Sequence, residues 1–176
     1  MTDINALPVV LPGLQTYLLT ALIIFSPLFL LLLLQRLFPR ALPRLPEAGR
    51  AGINLAVGII CSFVCVISLW LISSNGAWHD DSHLEIRATR AFVARVELAA
   101  LDPAAAHSID IDSLSRQGGL RVPGYAGGPF VDASGRNVFV MHGGGTLLRI
   151  PARGDYDIAL SLQDTSALDQ LTPLAR

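Results

Sequence analysis

The pattern most suggestive of chemistry is His142 followed by three glycines. In some esterases an HGGG loop supplies the backbone amides of an oxyanion hole. That chemistry also needs a serine on a sharp strand-to-helix elbow and a large doubly wound sheet. The hundred or so residues around His142 offer neither, so we interpret residues 142–145 as a glycine turn inside a hairpin.

A second pattern, His79-Asp-Asp-Ser-His83, could bind a metal ion if it were helical. Residues four apart would then share a face and present two imidazoles and a carboxylate. The pattern follows a helix stop at Asn75-Gly76 and shows no third ligand. We therefore expect the acids to cap or solvate the junction between membrane and domain.

Two further patterns have simpler explanations. Asp110 and Asp112, two apart on a predicted strand from Ser108 to Asp112, could bind calcium or act in acid–base chemistry, but they lack a loop of fixed spacing. We interpret them as a solvated strand face. Arg153-Gly154-Asp155 spells an adhesion tripeptide, for which a turn at Gly154 is a sufficient explanation.

The two cysteines, Cys61 and Cys65, both lie inside an apolar run. This placement excludes a disulfide framework, a redox CxxC pair and a cysteine zinc site in the C-terminal half. We interpret both as small apolar packing residues. The sequence thus predicts a protein that is not an enzyme and has no catalytic, cofactor or metal site.

Composition and charge indicate a membrane protein. The chain is 52% hydrophobic and 15% charged, and no fixed charge occurs between Arg50 and Asp80. Two apolar runs, residues 14–38 and 53–75, are each long enough to span a bilayer core of roughly 30 Å. The sequence predicts a transmembrane helical hairpin, with a kink in the first helix caused by Pro27.

Flanking charges predict the orientation of this hairpin. The connector, residues 39–52, is rich in arginine and proline, and arginines near membrane spans favour the cytoplasmic side. The orienting residues are Arg36, Arg40, Arg44 and Arg50. We expect a cytoplasmic loop, a short periplasmic tail at residues 1–13, and both termini in the periplasm of a bacterial inner membrane. No long basic tract supports nucleic-acid binding.

Small residues recur along the second span at helical spacing: Gly58, Ser62 (or Cys61), Cys65 and Ser68. Such faces let helices pack closely in lipid, against the first span or another subunit. The leucine run from Leu28 to Leu34 is predicted to face lipid. Tyr17, Trp70 and Trp78 are predicted anchors at the membrane interfaces.

Residues 76–176 are predicted to form a small, mostly β extracytoplasmic domain. From Leu84 to Leu98 apolar and polar residues nearly alternate, which favours a strand with a bulge at Arg90–Ala91, although the composition also allows a helix. Later strands, ending with residues 156–162, are separated by glycine turns. This pattern predicts an antiparallel meander that forms a sandwich or partial barrel.

The function predicted from these features is that of a non-catalytic accessory subunit. Two spans, little cytoplasmic mass and an exported β domain suit a stabilising component of a larger inner-membrane complex, with other integral membrane subunits and the bilayer as partners. The alternative is a membrane-anchored periplasmic protein that binds a ligand or neutralises an exported toxin.

Overall fold

A computed structural model describes residues 5–37, 47–164 and 166–171 of the 176-residue chain. The chain forms two compact units, one of residues 17–70 and one of residues 1–16 together with 71–176. The first contains most of the two long helices, α1 (Leu14–Leu37) and α2 (Glu47–Ile72). The second contains the β-sheets and a short helix, α3 (Ala167–Leu171).

The long helices differ from the predicted spans mainly in α2, which begins at Glu47 and ends at Ile72. The last part of the predicted connector is therefore helical, because the final proline, Pro46, precedes a run of residues that a helix accepts. In α1, Pro27 leaves the carbonyl of Ile23 without its usual donor. The hydroxyl of Ser26 donates to that carbonyl at 2.8 Å and replaces the lost bond.

By length and composition, both helices are long and apolar enough to cross a membrane. Only 6% of the most apolar stretch of α1 and 17% of that of α2 is buried, whereas a core helix of a soluble protein would be mostly buried. Phe29 and Phe63, for example, are 60% and 67% exposed. The architecture is compatible with a membrane protein that carries a soluble domain.

On each helix, one set of half-buried or buried residues recurs at alternating spacings of four and three, the spacing of coiled-coil packing. We call these positions the hairpin seam: Tyr17, Ala21, Ile24, Leu28, Leu31 and Gln35 on α1, and Asn54, Gly58, Cys61, Cys65 and Ser68 on α2. Gln35 and Asn54 exchange two amide hydrogen bonds, of 2.9 and 3.1 Å. This polar pair fixes the register of the antiparallel helices.

The seam contains Gly58, Cys65 and Ser68 of the predicted packing face, together with Cys61, the alternative to Ser62. Ser62 is exposed and Cys61 is buried in its place, because Ser62 lies about 85° around the helix from the centre of the seam. Gly58 does face the first helix, but a Cβ placed there would lie 3.9 Å from Leu28 Cδ2. Gly58 therefore accommodates a leucine side chain and not a close approach of backbones. Leu28 and Leu31 are half-buried, and the rest of the leucine run is exposed as predicted.

A four-stranded antiparallel sheet is built from β1 (Asn5–Ala6), β2 (Gly76–His79), β3 (His83–Arg87) and β4 (Val93–Glu97) in that order. The prediction of strand from residue 84 onward is confirmed. The predicted bulge is wrong, because residues 88–92 form a hairpin turn in which Thr89 Oγ1 accepts from the amides of Ala91 and Phe92. This hydroxyl gives the chain a turn instead of a continuous strand.

A seven-stranded sheet comprises the remaining strands: β5 (His107–Ile109), β6 (Ser115–Arg116), β7 (Leu120–Val122), β8 (Tyr125–Val131), β9 (Asn137–His142), β10 (Leu147–Ile150) and β11 (Tyr156–Ser161). Its order is β5-β10-β11-β9-β8-β6, and β7 also pairs with β8. The described strands do not close into a barrel.

The predicted meander is wrong at the centre of this sheet. Strands β9 and β11 pair in parallel, with Tyr156 opposite Asn137 and Leu160 opposite Met141. Residues 143–146 therefore do not close a hairpin, since β11 lies between β9 and β10. Both central strands are almost continuously buried and apolar, as expected for strands covered on both faces.

One face of the large sheet packs on a core formed by Leu114, Ala126, Phe130, Val138, Val140, Leu147 and Ala159. The other face meets the small sheet, where the Tyr125 hydroxyl donates to the carbonyl of Ala88 and the Tyr156 hydroxyl donates to that of Arg95 at 3.1 Å. These bonds join the two sheets into one domain.

The N-terminal segment, residues 5–10, belongs to this domain and is not a free tail. Leu7 N donates to Ala77 O at 2.9 Å in the small sheet. Val10 N donates to Ser161 O at 2.7 Å beside the large sheet. Leu7 and Val9 are only 4% and 5% exposed. The segment that precedes α1 is thus held by both sheets.

Candidate functional site

The outer face of the small sheet carries a pocket of about 470 Å³. We call it the Trp78 pocket, and its lining residues are Trp78, His79, Asp80, His83, Glu85, Arg87 and Arg95. Trp78 pairs with Glu85, and Glu85 pairs with Arg95, so the three side chains form a row across adjacent strands. Alternation on β3 and β4 places Glu85, Arg87 and Arg95 on the same face.

The turn between β2 and β3 forms one wall of the pocket. Asp80 Oδ1 accepts from the amides of Ser82 and His83 at 2.8 and 2.6 Å, and from the Ser82 hydroxyl at 3.0 Å. The backbone bonds from Ser82 and His83 lower the pKa of Asp80 to about 2. The carboxylate is therefore ionised at neutral pH and holds the turn closed.

The other wall combines charge with an aromatic ring. The Arg87 guanidinium lies 5.6 Å from the Trp78 ring centroid and donates to Glu85 at 3.2 Å. His79, opposite the buried Leu84, faces the other side of the small sheet and is only 6% exposed. Within the described part of the chain, His79 Nδ1 and Arg87 Nε are buried without a hydrogen-bond partner. Buried polar atoms without a hydrogen-bond partner are rare in folded proteins, and they mark a site whose hydrogen-bonding groups are not all satisfied within the chain.

The structure argues against the two-histidine metal site considered for residues 79–83. They form a strand end and a turn, so the helical spacing needed for a two-histidine metal site is absent. Among the residues described, no group of three or more His, Cys, Asp or Glu side chains could hold a metal ion. The expected role of Asp80 in capping is confirmed, but the sequence did not predict that Trp78 would join the polar row.

Comparison with protein-family models, curated proteins and solved structures finds no match for this chain. Functional conclusions therefore rest on the geometry of the described residues.

His142 lies at the end of β9 beside Ser161 on β11, with Nδ1 and the serine Oγ 2.6 Å apart. Burial lowers the pKa of His142, and the charge of Arg121 lowers it further. Ser161 is fully buried, and Val10 donates to its carbonyl. The pair resembles a nucleophile and base only in distance, because no substrate could reach the hydroxyl.

The paired carboxylates of the predicted strand are separated by the fold. Asp110 precedes a 3₁₀ turn, Ile111–Ser113, and accepts from Asp112 N at 2.9 Å. Asp112 pairs with Arg121 on an exposed surface. The strand is only His107–Ile109, so the two carboxylates do not share a strand face. Residues 153–155 form an exposed loop between β10 and β11.

The predicted interface anchors and orienting arginines differ in how exposed they are and in whether the structure describes them. Tyr17 is half-buried on the hairpin seam, whereas Trp70 is 53% exposed. Arg36 is exposed in the last turn of α1. Arg40 and Arg44 lie outside the described residues, and Arg50 lies within α2.

A buried ion-pair network, which the sequence did not reveal, stabilises the far end of the large sheet. Arg149 donates to Asp157 at 2.6 and 2.8 Å and to Asp132 at 2.8 Å. Arg136 adds a bond of 3.0 Å to Asp157, which is 6% exposed. Asp132 and Arg136 lie in the turn between β8 and β9, whereas Arg149 lies on β10 and Asp157 on β11, so only the fold brings the three parts together.

The network predicts acid-sensitive stability. Burial raises the pKa of Asp157, but bonds from the Ala152 amide, Arg149 and Arg136 outweigh it and lower the pKa overall. Hydrogen bonds from Ser134 and Arg149 lower that of Asp132. Both folded-state pKa values lie below the unfolded value of about 4, so their stabilisation is fully present above that value and is lost as pH falls from it through the lower folded-state values.

Thermal melts of the full chain in detergent should therefore show a falling midpoint from about pH 5 downward. Asp157→Asn should melt lower at neutral pH and depend less on acid, because one of the titrating groups is gone. An unchanged acid dependence in Asp157→Asn would contradict the assignment.

Proposed function

We propose that this chain is a non-catalytic accessory subunit of a larger bacterial inner-membrane complex. In this proposal α1 and α2 span the membrane as a hairpin, the loop between them is cytoplasmic, and both termini and the β domain are periplasmic. Other integral membrane subunits and the bilayer are its partners.

The observation that carries the proposal is the pairing of the two segments that flank the helices. Asn5 and Ala6 pair with His79 and Trp78 in the small sheet. Only Leu11 to Gly13 separate the last bonded residue, Val10, from α1, and only Ser73 to Asn75 separate α2 from β2. Two short connections to one domain favour an even number of crossings and a domain fixed at the membrane, as a scaffold requires.

The exposed helix surface supports association within the membrane. The seam uses one face of α2, while Ile59, Ser62 and Phe63 lie on its exposed side. Ile59 and Phe63 are 60% and 67% exposed. Lipid or a helix of another subunit would cover this surface, and a small residue between bulky ones gives a neighbouring helix a place to pack.

Burial of Ser161, the serine beside His142, supports the proposal that the chain is not catalytic. Ser161 is fully buried, and its carbonyl accepts from Val10 of the N-terminal segment. A hydroxyl in this position has a structural role, because a nucleophile must be reached by its substrate.

The Trp78 pocket favours a second candidate, a membrane-anchored periplasmic binding or immunity protein. Its polar groups without internal partners suit a ligand or a side chain of an exported toxin. Native mass spectrometry of a mild-detergent extract separates the two candidates. An accessory subunit should emerge with membrane partners in fixed stoichiometry, and a binding protein should emerge alone.

Two leucine substitutions test which helix face contacts a partner. Ser62→Leu adds bulk on the exposed face and should release the partner while the hairpin stays folded. Gly58→Leu extends a side chain toward Leu28 and should destabilise the hairpin itself, by about 1–3 kcal/mol as overpacking does. Leu32→Ala, on an exposed position of α1, is the control and should change neither.

Partner retention in the native mass spectrum and protease resistance of the hairpin are the two readouts. Retention of partners by Ser62→Leu would contradict a partner at this face.

A further inference from the structure

We propose that the Trp78 pocket binds a zwitterion that carries an ammonium group and a phosphate or carboxylate oxyanion a few bonds apart. The headgroup of phosphatidylethanolamine is one source of this chemistry, and a small soluble zwitterion is the other. The lipid source rests on the proposed membrane orientation, whereas the ligand class rests on the pocket alone.

The pocket contains both signs of charge in alternation. Glu85 lies between Trp78 and Arg95 in the row across the strands, and Arg87 lies over the tryptophan ring. A simple anion would meet Asp80 and Glu85, and a simple cation would meet the two arginines. A ligand with one charge of each sign is complementary to both sets.

The internal ion pairs are weak enough to be exchanged. Arg95 lies 4.0 Å from Asp80, and its side chain is 60% exposed. Arg87 and Glu85 form a pair whose side chains are 42% and 41% exposed. Exposed pairs of this kind contribute little, so a ligand can replace them at small cost.

Free hydrogen-bonding capacity matches the two ends of the ligand. The Arg95 guanidinium donates no hydrogen bond to any other part of the chain that the structure describes, and Arg87 Nε is unpaired there. These groups suit an oxyanion. Glu85 accepts from Arg87 through one oxygen, and its other oxygen suits an ammonium group.

The position of the pocket in the chain favours the lipid source. Trp78 follows the end of α2 at Ile72 by six residues, which places it within roughly 20 Å of that end even in an extended chain. Lipid headgroups occupy the region just outside the hydrocarbon core. A pocket of about 470 Å³ lies within the size range of small-ligand sites.

The test is calorimetric titration of the detergent-purified full chain with glycerophosphoethanolamine, which carries both charges. Glycerophosphoglycerol, which lacks the ammonium group, and ethanolamine, which lacks the oxyanion, should each bind at least about tenfold more weakly. Arg95→Gln and Glu85→Gln should each weaken binding of the zwitterion by about tenfold. Arg153→Gln, in an exposed loop away from the pocket, is the matched control.

A second measurement distinguishes the sources. Native mass spectrometry from nanodiscs of mixed phosphatidylethanolamine and phosphatidylglycerol should retain the ethanolamine lipid on the wild-type protein and lose it with Glu85→Gln. Binding of the soluble headgroup without retention of the lipid would support a soluble zwitterion as the ligand.

Equal binding of glycerophosphoglycerol, or no binding of any titrant by a folded protein, would overturn the inference. Co-purification with membrane partners is independent of these titrations, so a failure of the accessory-subunit proposal is distinguishable from a failure of this one.

Discussion

Arg149→Met should destabilise the β domain by about 3 kcal/mol, one of the two largest effects expected from a single substitution. The change removes the donors of three hydrogen bonds at once and leaves Asp157 and Asp132 charged. Asp157 lies near the start of the central strand β11 and is only 6% exposed, so water has little access to replace the guanidinium. Thermal unfolding in detergent should move down by more than about 10 °C.

Arg121→Met is the matched control. Arg121 also pairs with an aspartate, Asp112, but the side chains are 41% and 75% exposed. Exposed pairs contribute about 0–1 kcal/mol, so the melting midpoint should barely move. Equal midpoints for the two variants would show that the buried network is not a principal source of stability.

Gly143→Ala should detach the N-terminal segment from the large sheet. A Cβ at Gly143 would overlap the backbone of Val10, which no side-chain rotation can relieve. The segment must move, and the bond from Val10 N to Ser161 O is lost with it. We expect a loss of about 1–3 kcal/mol and faster hydrogen exchange of the Val10 amide.

Gly154→Ala provides the comparison, because no atom of the described residues lies within 4 Å of a Cβ built there. Its exchange and melting should match those of the wild type. Unchanged protection of Val10 in Gly143→Ala would mean that the N-terminal segment does not contact the sheet at this point.

Local patterns in the sequence predicted most of the helices and strands correctly. Alternation from Leu84 onward predicts strands, and the glycine-rich segments separate the later strands at nearly the right places. The two apolar runs predict two long helices because length and hydropathy are properties of the segment itself. These features depend on near neighbours in the chain.

Features that depend on distant pairing could not be read in the same way. A strand inserted between two others, as β11 is between β9 and β10, leaves the same alternation as a hairpin. The Asn5–Ala6 strand is too short to produce a pattern. Helical spacing alone left Cys61 and Ser62 as alternatives, and only the position of α1 decides between them.

Only part of the candidate site could be predicted from the sequence. Alternation on the predicted strand places Glu85, Arg87 and Arg95 on one polar face, but Trp78 joins them only through the register of β2 with β3. The network of Asp132, Arg136, Arg149 and Asp157 had no local signal, because it joins the turn between β8 and β9 to the separate strands β10 and β11.

The most direct test of the proposed architecture is a disulfide between Ala6→Cys and Trp78→Cys, formed in intact cells without added oxidant. These positions are opposite each other in adjacent antiparallel strands, at a spacing that a disulfide can bridge. Glu85→Cys with Ala6→Cys is the control, since two strand spacings of about 4.8 Å separate them.

A disulfide in the first pair alone, read as a gel shift after thiol alkylation, is the result that the account predicts. It requires both that the N-terminal segment pairs with β2 and that the domain lies in an oxidising compartment. A cross-link that forms only after lysis and added oxidant would contradict the periplasmic location, and no cross-link under either condition would contradict the pairing itself.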